Sequence, residues 1–296
     1  AIPAPSSFSI AAARLGWPLE TTLCLGLHAA PIARLRPHLA RGVRIIVTLR
    51  DGAAVADLTG YLAETGFGDS HVWVMEALGG AEERVTKGTA ANITGDFTHP
   101  VLAAIEASDG PALPRTAGLP DDAFDHDGQI TKRPMRAVTL STLAPKPFET
   151  LWDIGGGSGS ISIEWALSHP TTRAICIEPR ADRATRIAEN ARAFGVDDRV
   201  QVIEGAAPGA LAGLPGPDAV FVGGGLSEGL LESLTAQGGF RLVVNAVTLE
   251  SEALVTGWQA RIGGDLMRLE MASAAPLGPK RGWQAAWPVV QWSVTT

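Results

Sequence analysis

From about residue 135 onward, short apolar runs alternate with stretches whose apolar residues recur every three or four positions. Runs of the first kind read as buried strands and stretches of the second as helices. Their alternation predicts an α/β fold with a mostly parallel sheet covered on both faces. Leu151, Trp152 and Ile154 end one strand, and Ile161, Ile163, Trp165 and Leu167 belong to the helix after it. Residues 174–178 form a second strand. Ala184, Ile187, Ala188, Ala191 and Phe194 then fall on one helical face that stops at Gly195. Strands follow at 200–203, 218–222 and 240–245, and the last two, 265–272 and 289–294, are expected to pair as a hairpin. A helix over 135–143 precedes the whole series, with Pro134 tolerated in its first turn.

The first third of the chain is thinner. A strand at 44–49, a helix at 53–65 and a strand at 71–76 are again α/β but too few for a complete domain. Between residues 92 and 120 periodicity is lost and Pro and Gly become dense. The expected division is therefore a partial domain over 1–98, a linker over 99–117 holding a short helix at 99–107, and a larger domain over 118–296.

Composition narrows the picture. The 296 residues suffice for one large or two ordinary domains, and no apolar run is long enough to span a bilayer. A net charge of -7 argues against sequence-independent binding of nucleic acid, which needs a basic face. Cys24 and Cys176 sit in apolar runs and are expected to be buried free thiols in a reducing cytoplasm, with no metal site. The start has no charged segment of the secretory kind, and it opens on Ala1 rather than Met.

The candidate chemistry lies at the first strand–helix turn. Asp153, Gly155, Gly157 and Gly159 give the pattern Asp-x-Gly-x-Gly-x-Gly, a turn that lets backbone come close to a ligand. One strand later Glu178 ends a buried run, at the distance expected of a carboxylate that grips ribose hydroxyls. A nicotinamide fingerprint would place its third small residue at Ser160 and needs no acid before the turn. S-adenosylmethionine fits better, because its pattern wants the acid that Asp153 supplies. A nicotinamide dinucleotide and a ligand-free structural turn stay open as alternatives.

Several segments together resemble the precorrin methyltransferases of the cobalamin pathway, in particular the bifunctional, decarboxylating members. These are Pro120-Asp121-Asp122-Ala123-Phe124, Ile130-Thr131-Lys132, residues 153–159, Glu178-Pro179 and Glu204-Gly205-Ala206-Ala207-Pro208. The resemblance covers essentially the whole chain. It implies two fused methyltransferases: a class I, Rossmann-like one at the C-terminus, and a tetrapyrrole methylase, of which residues 1 to about 92 look like the second half only. Pro3-Ala4-Pro5-Ser6-Ser7-Phe8 and residues 78–84 carry that second likeness, with Ala4 and Pro5 departing from it. The expectation is that the chain lacks the N-terminal activity.

The resemblance further implies S-adenosylmethionine-dependent methylation of a meso carbon of a precorrin-6-type tetrapyrrole, coupled to decarboxylation of the ring C acetate. It assigns the cofactor to Thr131, Asp153, Gly155, Gly156, Gly157, Ser158, Gly159, Glu178, Ala206 and Ala207. The acetate and propionate arms of such a substrate would suit Lys132, Arg133, Arg136, Lys280 and Arg281, and Gly223 with its two following glycines would leave room for the ring. His126 reads as a solvated loop residue. Trp283, Trp287 and Trp292 read as packing residues more readily than as stacking ones. No Asn/Asp-Pro-Pro-aromatic segment of the amine methylases occurs, which favours carbon as the acceptor. The expected partner is a small molecule, with neither nucleic acid nor membrane, and relatives suggest a homo-oligomer. Other small-molecule or RNA methyltransferases and a nicotinamide oxidoreductase are the rival readings.

Overall fold

The computed structural model describes residues 4–296, so Pro3 of the Pro3–Phe8 segment lies outside the described residues. The chain divides into two compact units near residue 114.

The first unit holds strands β1 (Thr22–Gly26), β2 (Arg44–Thr48), β3 (His71–Glu76), β4 (Arg84–Thr89) and β5 (Val101–Glu106), with helices α1 (Ser7–Leu15) and α2 (Ala54–Glu64). The sheet order is β1-β2-β5-β3-β4, with β1 and β2 parallel and the other pairs antiparallel. Successive side chains of a strand point to opposite faces. Ile45 and Val47 accordingly join Val72, Val74, Leu58 and Phe67 in one core, while Ile46 joins Met75, Leu102, Ala104 and Trp17 in another.

Three expectations need correction here. Residues 99–107 were expected to form a short helix inside a linker, but β5 runs through that stretch as the central strand of the sheet. Its run Val-Leu-Ala-Ala-Ile-Glu is apolar on both sides, and periodicity alone does not separate a doubly buried strand from a buried helix. Cys24, expected to be buried, is exposed, because it sits on β1, an edge strand. The sheet also has five strands, whereas only two were anticipated.

The second unit begins with α3 (Arg133–Leu143). It continues with β6 (Thr150–Ile154), α4 (Ser160–Ser168), β7 (Arg173–Glu178), α5 (Ala181–Ala193), β8 (Val200–Glu204), β9 (Ala219–Val222), α6 (Glu228–Gln237), β10 (Arg241–Ala246) and α7 (Leu249–Ile262). Four strands close it: β11 (Asp265–Leu269), β12 (Ala272–Leu277), β13 (Lys280–Ala285) and β14 (Val289–Thr295). The seven-stranded sheet has the order β11-β14-β10-β9-β6-β7-β8. Strands β8, β7, β6, β9 and β10 are parallel, and β14 runs antiparallel between β10 and β11. This is the class I methyltransferase arrangement. From β6 the chain steps outward through β7 to β8, then crosses back to β9 and β10. The crevice left by that reversal opens at the carboxyl ends of β6 and β9.

The first helix after the turn, α4, is buried along residues 160–166, with Ile161, Ile163 and Trp165 in contact with the core and Ser160, Ser162 and Glu164 buried beside them. By contrast α5 is amphipathic and buries Ala184, Ile187, Asn190 and Ala191. The final strands do pair, as β11 with β14, but they are not consecutive. A separate two-stranded hairpin, β12–β13, intervenes with most of its residues exposed. Its strands show no apolar alternation, so nothing in their pattern announced them. None of the described helices is long and apolar enough to cross a membrane.

Candidate active site

A pocket of about 560 Å³ opens at the carboxyl ends of the parallel strands, within the size range of small-molecule sites. Its floor is the turn after β6. The N–H groups of Gly155 and Gly156 both donate to the Ile177 carbonyl, at 2.9 and 3.2 Å, which ties the turn to β7. Gly155 has φ +75, and a Cβ there would lie 2.6 Å from the Gly224 backbone, so the loops after β6 and β9 touch through glycine alone. At Gly156 a Cβ would lie 2.2 Å from Cys176 Sγ. Neither position has room for a side chain without a shift of the backbone or of its neighbours.

Glu178, at the end of β7, is buried and lines the pocket. Its Oε2 accepts from the Gly157 N–H at 2.9 Å and its Oε1 from the Arg180 N–H at 3.1 Å. Two backbone donors thus hold the carboxylate in one orientation while each oxygen retains further acceptor capacity. Residues 205–207 after β8 continue the same wall with small residues. Arg183, on the first turns of α5, also lines it and donates from Nε to Asp127 Oδ2 at 2.9 Å.

A second network holds the wall formed by Gln129, Ile130, Thr131 and Lys132. Arg136 is fully buried. Its Nε donates to Glu164 Oε1 at 2.5 Å and its Nη1 to Asp121 Oδ1 at 3.1 Å. The same guanidinium donates to the carbonyls of Leu119 and Thr131 and lies over the Phe124 ring at 4.9 Å. Glu164 also accepts from the N–H groups of Gly118 and Leu119, at 2.6 and 2.9 Å. One buried ion pair therefore pins the segment that precedes α3 onto α4. Across the pocket, Asn245 at the end of β10 donates from Nδ2 to Thr139 Oγ1 at 2.9 Å and accepts from Gln291 Nε2 at 2.9 Å. That amide is held by α3 and β14 together.

Comparison with known proteins follows the same division of the chain. A family model described as precorrin methyltransferase domain matches residues 122–296, and one for tetrapyrrole (corrin/porphyrin) methylases matches residues 1–94. A precorrin-6Y C(5,15)-methyltransferase [decarboxylating] from Sinorhizobium sp is 52% identical over 99% of this chain and 73% of its own length. The chain belongs to the precorrin methyltransferases. A Mycobacterium tuberculosis (strain CDC 1551 / Oshkosh) protein of the same printed name is 42% identical over 99% of this chain and 75% of its own. Among solved structures, the C-terminal domain of precorrin-6Y C5,15-methyltransferase from Rhodobacter capsulatus matches with TM-score 0.59 and 54% identity. That match covers 61% of this chain and 98% of the other.

In this precorrin methyltransferase the pocket brings together Thr131, Lys132, Gly155, Gly156, Gly157, Glu178, Ala206, Ala207 and Gly223. Three residues expected at the cofactor lie behind the wall instead. Asp153 is buried, and its Oδ2 accepts from Ser162 N–H at 3.1 Å and Ser162 Oγ at 2.7 Å, so it caps α4. Burial pushes its carboxyl up to about 6. Ser158 is buried, and its carbonyl accepts from Asn190 Nδ2 at 2.9 Å. Gly159 has φ +75 and starts α4 in a space where a Cβ would meet Ile187 at 2.6 Å.

The expected cations divide too. Arg136 is not at a mouth but inside the buried pair with Glu164. Arg133 is exposed outside the pocket, and Lys280 and Arg281 lie on β13, also outside it. Lys132 stays at the rim, 60% exposed, with Nζ 3.8 Å from Asp121 Oδ2. Sequence reasoning missed Arg183, Asn245, Met271 and Val289. Of these, Asn245 carried a signal, a polar residue closing the apolar run of β10. Trp292 is buried, as a packing residue should be, but the packing expectation fails for Trp283, exposed on β13, and for Trp287, exposed and lining the pocket.

Proposed function

We propose that this enzyme transfers a methyl group from S-adenosylmethionine to a meso carbon of a precorrin-6-type tetrapyrrole and couples the transfer to decarboxylation of the ring C acetate in cobalamin biosynthesis. The observation that carries this reading is the pairing, in one pocket, of a glycine turn that no side chain can enter with a backbone-held Glu178. The residues fit the cofactor: the carboxylate matches a vicinal diol, and the side-chain-free turn and small residues 205–207 leave space for a ribose and a flat base. Bound there, S-adenosylmethionine supplies an electrophilic methyl carbon on a sulfonium.

The chain's own residues bind and align. Glu178 holds the ribose hydroxyls, Gly157 and Arg180 hold Glu178, and Thr131, Ala206 and Ala207 flank the ligand. Asp153, Ser158 and Gly159 act from behind by fixing the start of α4. Gly223 leaves room for the acceptor ring, and Lys132 meets one of its carboxylate arms. Glu178 is the single carboxylate among the lining residues and is already engaged, so no protein base is invoked. The ring nitrogens drive electron density to the attacking carbon, and alignment lowers the barrier. In the decarboxylation the C–CO2 bond breaks and CO2 leaves, the electron pair is held in conjugation with the ring, and the same pair then bonds a proton from solvent at the former acetate carbon, which becomes a methyl group.

A homo-oligomer in the cytoplasm is part of the same reading, with a small-molecule substrate and with neither nucleic acid nor membrane as partner. Edge strand β11, which leaves Leu266 and Met267 exposed, supports self-association. The free cysteines and the net charge of -7 support the compartment and the lack of a nucleic-acid role. The test is product mass: incubation with precorrin-6Y and S-adenosylmethionine should give a tetrapyrrole with one added methyl and one lost CO2. An unchanged substrate mass overturns the reading.

A further inference from the structure

We infer that Trp287 is the platform on which the flat acceptor ring lies, an inference that rests on the tetrapyrrole reading above. Trp283 and Trp287 are the two exposed tryptophans of this unit, at 81% and 84%, while Trp152, Trp165, Trp258 and Trp292 are buried, and of the exposed pair Trp287 lines the pocket. What sets this ring apart is its place: it lines the pocket beside Val247, Met271 and Val289, a continuous apolar wall rather than a lone surface residue. The indole has no hydrogen-bonding, aromatic or cationic partner among the described residues.

Its position is fixed by the backbone. Residues 286–288 connect β13 to β14, and the Ala286 N–H donates to the Met271 carbonyl at 2.8 Å, closing the base of the β12–β13 hairpin. Pro288 restricts the next step of the chain. This connection, tied at Ala286 and restricted at Pro288, presents the ring. Two hollows meet at it: the pocket described above, and a neighbouring hollow of about 490 Å³ between Glu270, Met271, Ala285 and Pro288. Trp287, Met271 and Ala286 line both, so the indole stands on the ridge between them.

The chemistry of this side differs from that of the cofactor side. Met135, Val247, Met271, Val289 and Trp287 are apolar, and residues 223–225 in the same pocket have no side chains. An acceptor bound here must be flat and largely apolar over its face and able to extend past the pocket edge. A conjugated macrocycle meets that description, and an indole stacks on such a face with an offset or edge geometry.

The test titrates the full chain with precorrin-6Y in the presence of S-adenosylhomocysteine. Trp287→Ala should weaken tetrapyrrole binding by on the order of tenfold, and Trp287→Phe should recover most of it. Binding of S-adenosylhomocysteine alone should be unchanged in both. Trp283→Ala, a substitution on β13 at a residue equally exposed but outside the pocket, should bind the tetrapyrrole as the parent does. The inference is overturned if Trp287→Ala binds as the parent does, or if Trp283→Ala weakens binding to the same degree, which would indicate a disturbed hairpin. If the unsubstituted chain itself fails to bind precorrin-6Y, the tetrapyrrole reading falls and takes the inference with it.

Discussion

The two sides of the pocket are built by different means. On the side of β6, β7 and β8 the surface offered to a ligand is mainly the glycine turn and small residues 205–207, with one carboxylate held by two N–H groups and Arg183 beside it. On the side of β10, β14 and the hairpin base it is side chain: Asn245, Val247, Met271, Trp287 and Val289. A backbone surface cannot change without moving strands, so it suits a ligand that is the same in every turnover. A side-chain surface can be altered one residue at a time, so it suits the acceptor.

If that contrast is right, substitutions should separate folding, cofactor and acceptor effects. The largest concerns neither ligand directly. Arg136→Met leaves Glu164 buried without its partner and should cost about 4 kcal/mol of stability, read by urea unfolding. Next is Glu178→Ala, which should weaken S-adenosylhomocysteine about 100-fold by calorimetry through loss of charge-assisted hydrogen bonds. It should leave tetrapyrrole binding nearly intact; equal loss of both ligands would break the division between the two sides.

A smaller effect follows from Asp153. Burial raises its carboxyl to about 6 in the folded chain, against about 3.9 when unfolded. The folded state therefore holds the proton more tightly. The associated stability is fully present below about 3.9 and is lost as pH rises through about 6. Moving from pH 7 to pH 5 should stabilise the parent by about 1 kcal/mol relative to Asp153→Asn. A pH-independent difference would mean that Asp153 is already ionised at pH 5. The smallest effect is at the rim: Lys132→Ala should raise the tetrapyrrole KM by about threefold, as befits an exposed ion pair. Lys280→Ala and Arg281→Ala, on the hairpin, should not change it.

The same contrast governs what could be read from the sequence. The turn at 153–159, Glu178 and the alternation of strand and helix are local patterns, so their spacing alone pointed to residues 155–157 and Glu178, which the fold brings to one pocket. Asp153 was legible both as a cofactor contact and as a structural cap of the turn, and the spacing did not decide between them or point to its partner Ser162, which carries no apolar or glycine signal. Arg136 looked like a surface cation because burial of an arginine depends on Glu164, 28 residues away, and on carbonyls no pattern reveals. The acceptor side joins residues 135, 245, 271 and 287, which only the completed sheet brings together. The central strand β5 and the β12–β13 hairpin were hidden for opposite reasons, one uniformly apolar and the other without any alternation.

The most direct test of the adenosyl site is calorimetric titration of the full chain with S-adenosylhomocysteine, with NAD in a parallel titration. Saturable binding of the first at a single site, lost in Glu178→Ala, with no heat from the second, is the expected result. Absence of S-adenosylhomocysteine binding, or NAD binding that the Glu178 substitution abolishes, would contradict the assignment of the pocket.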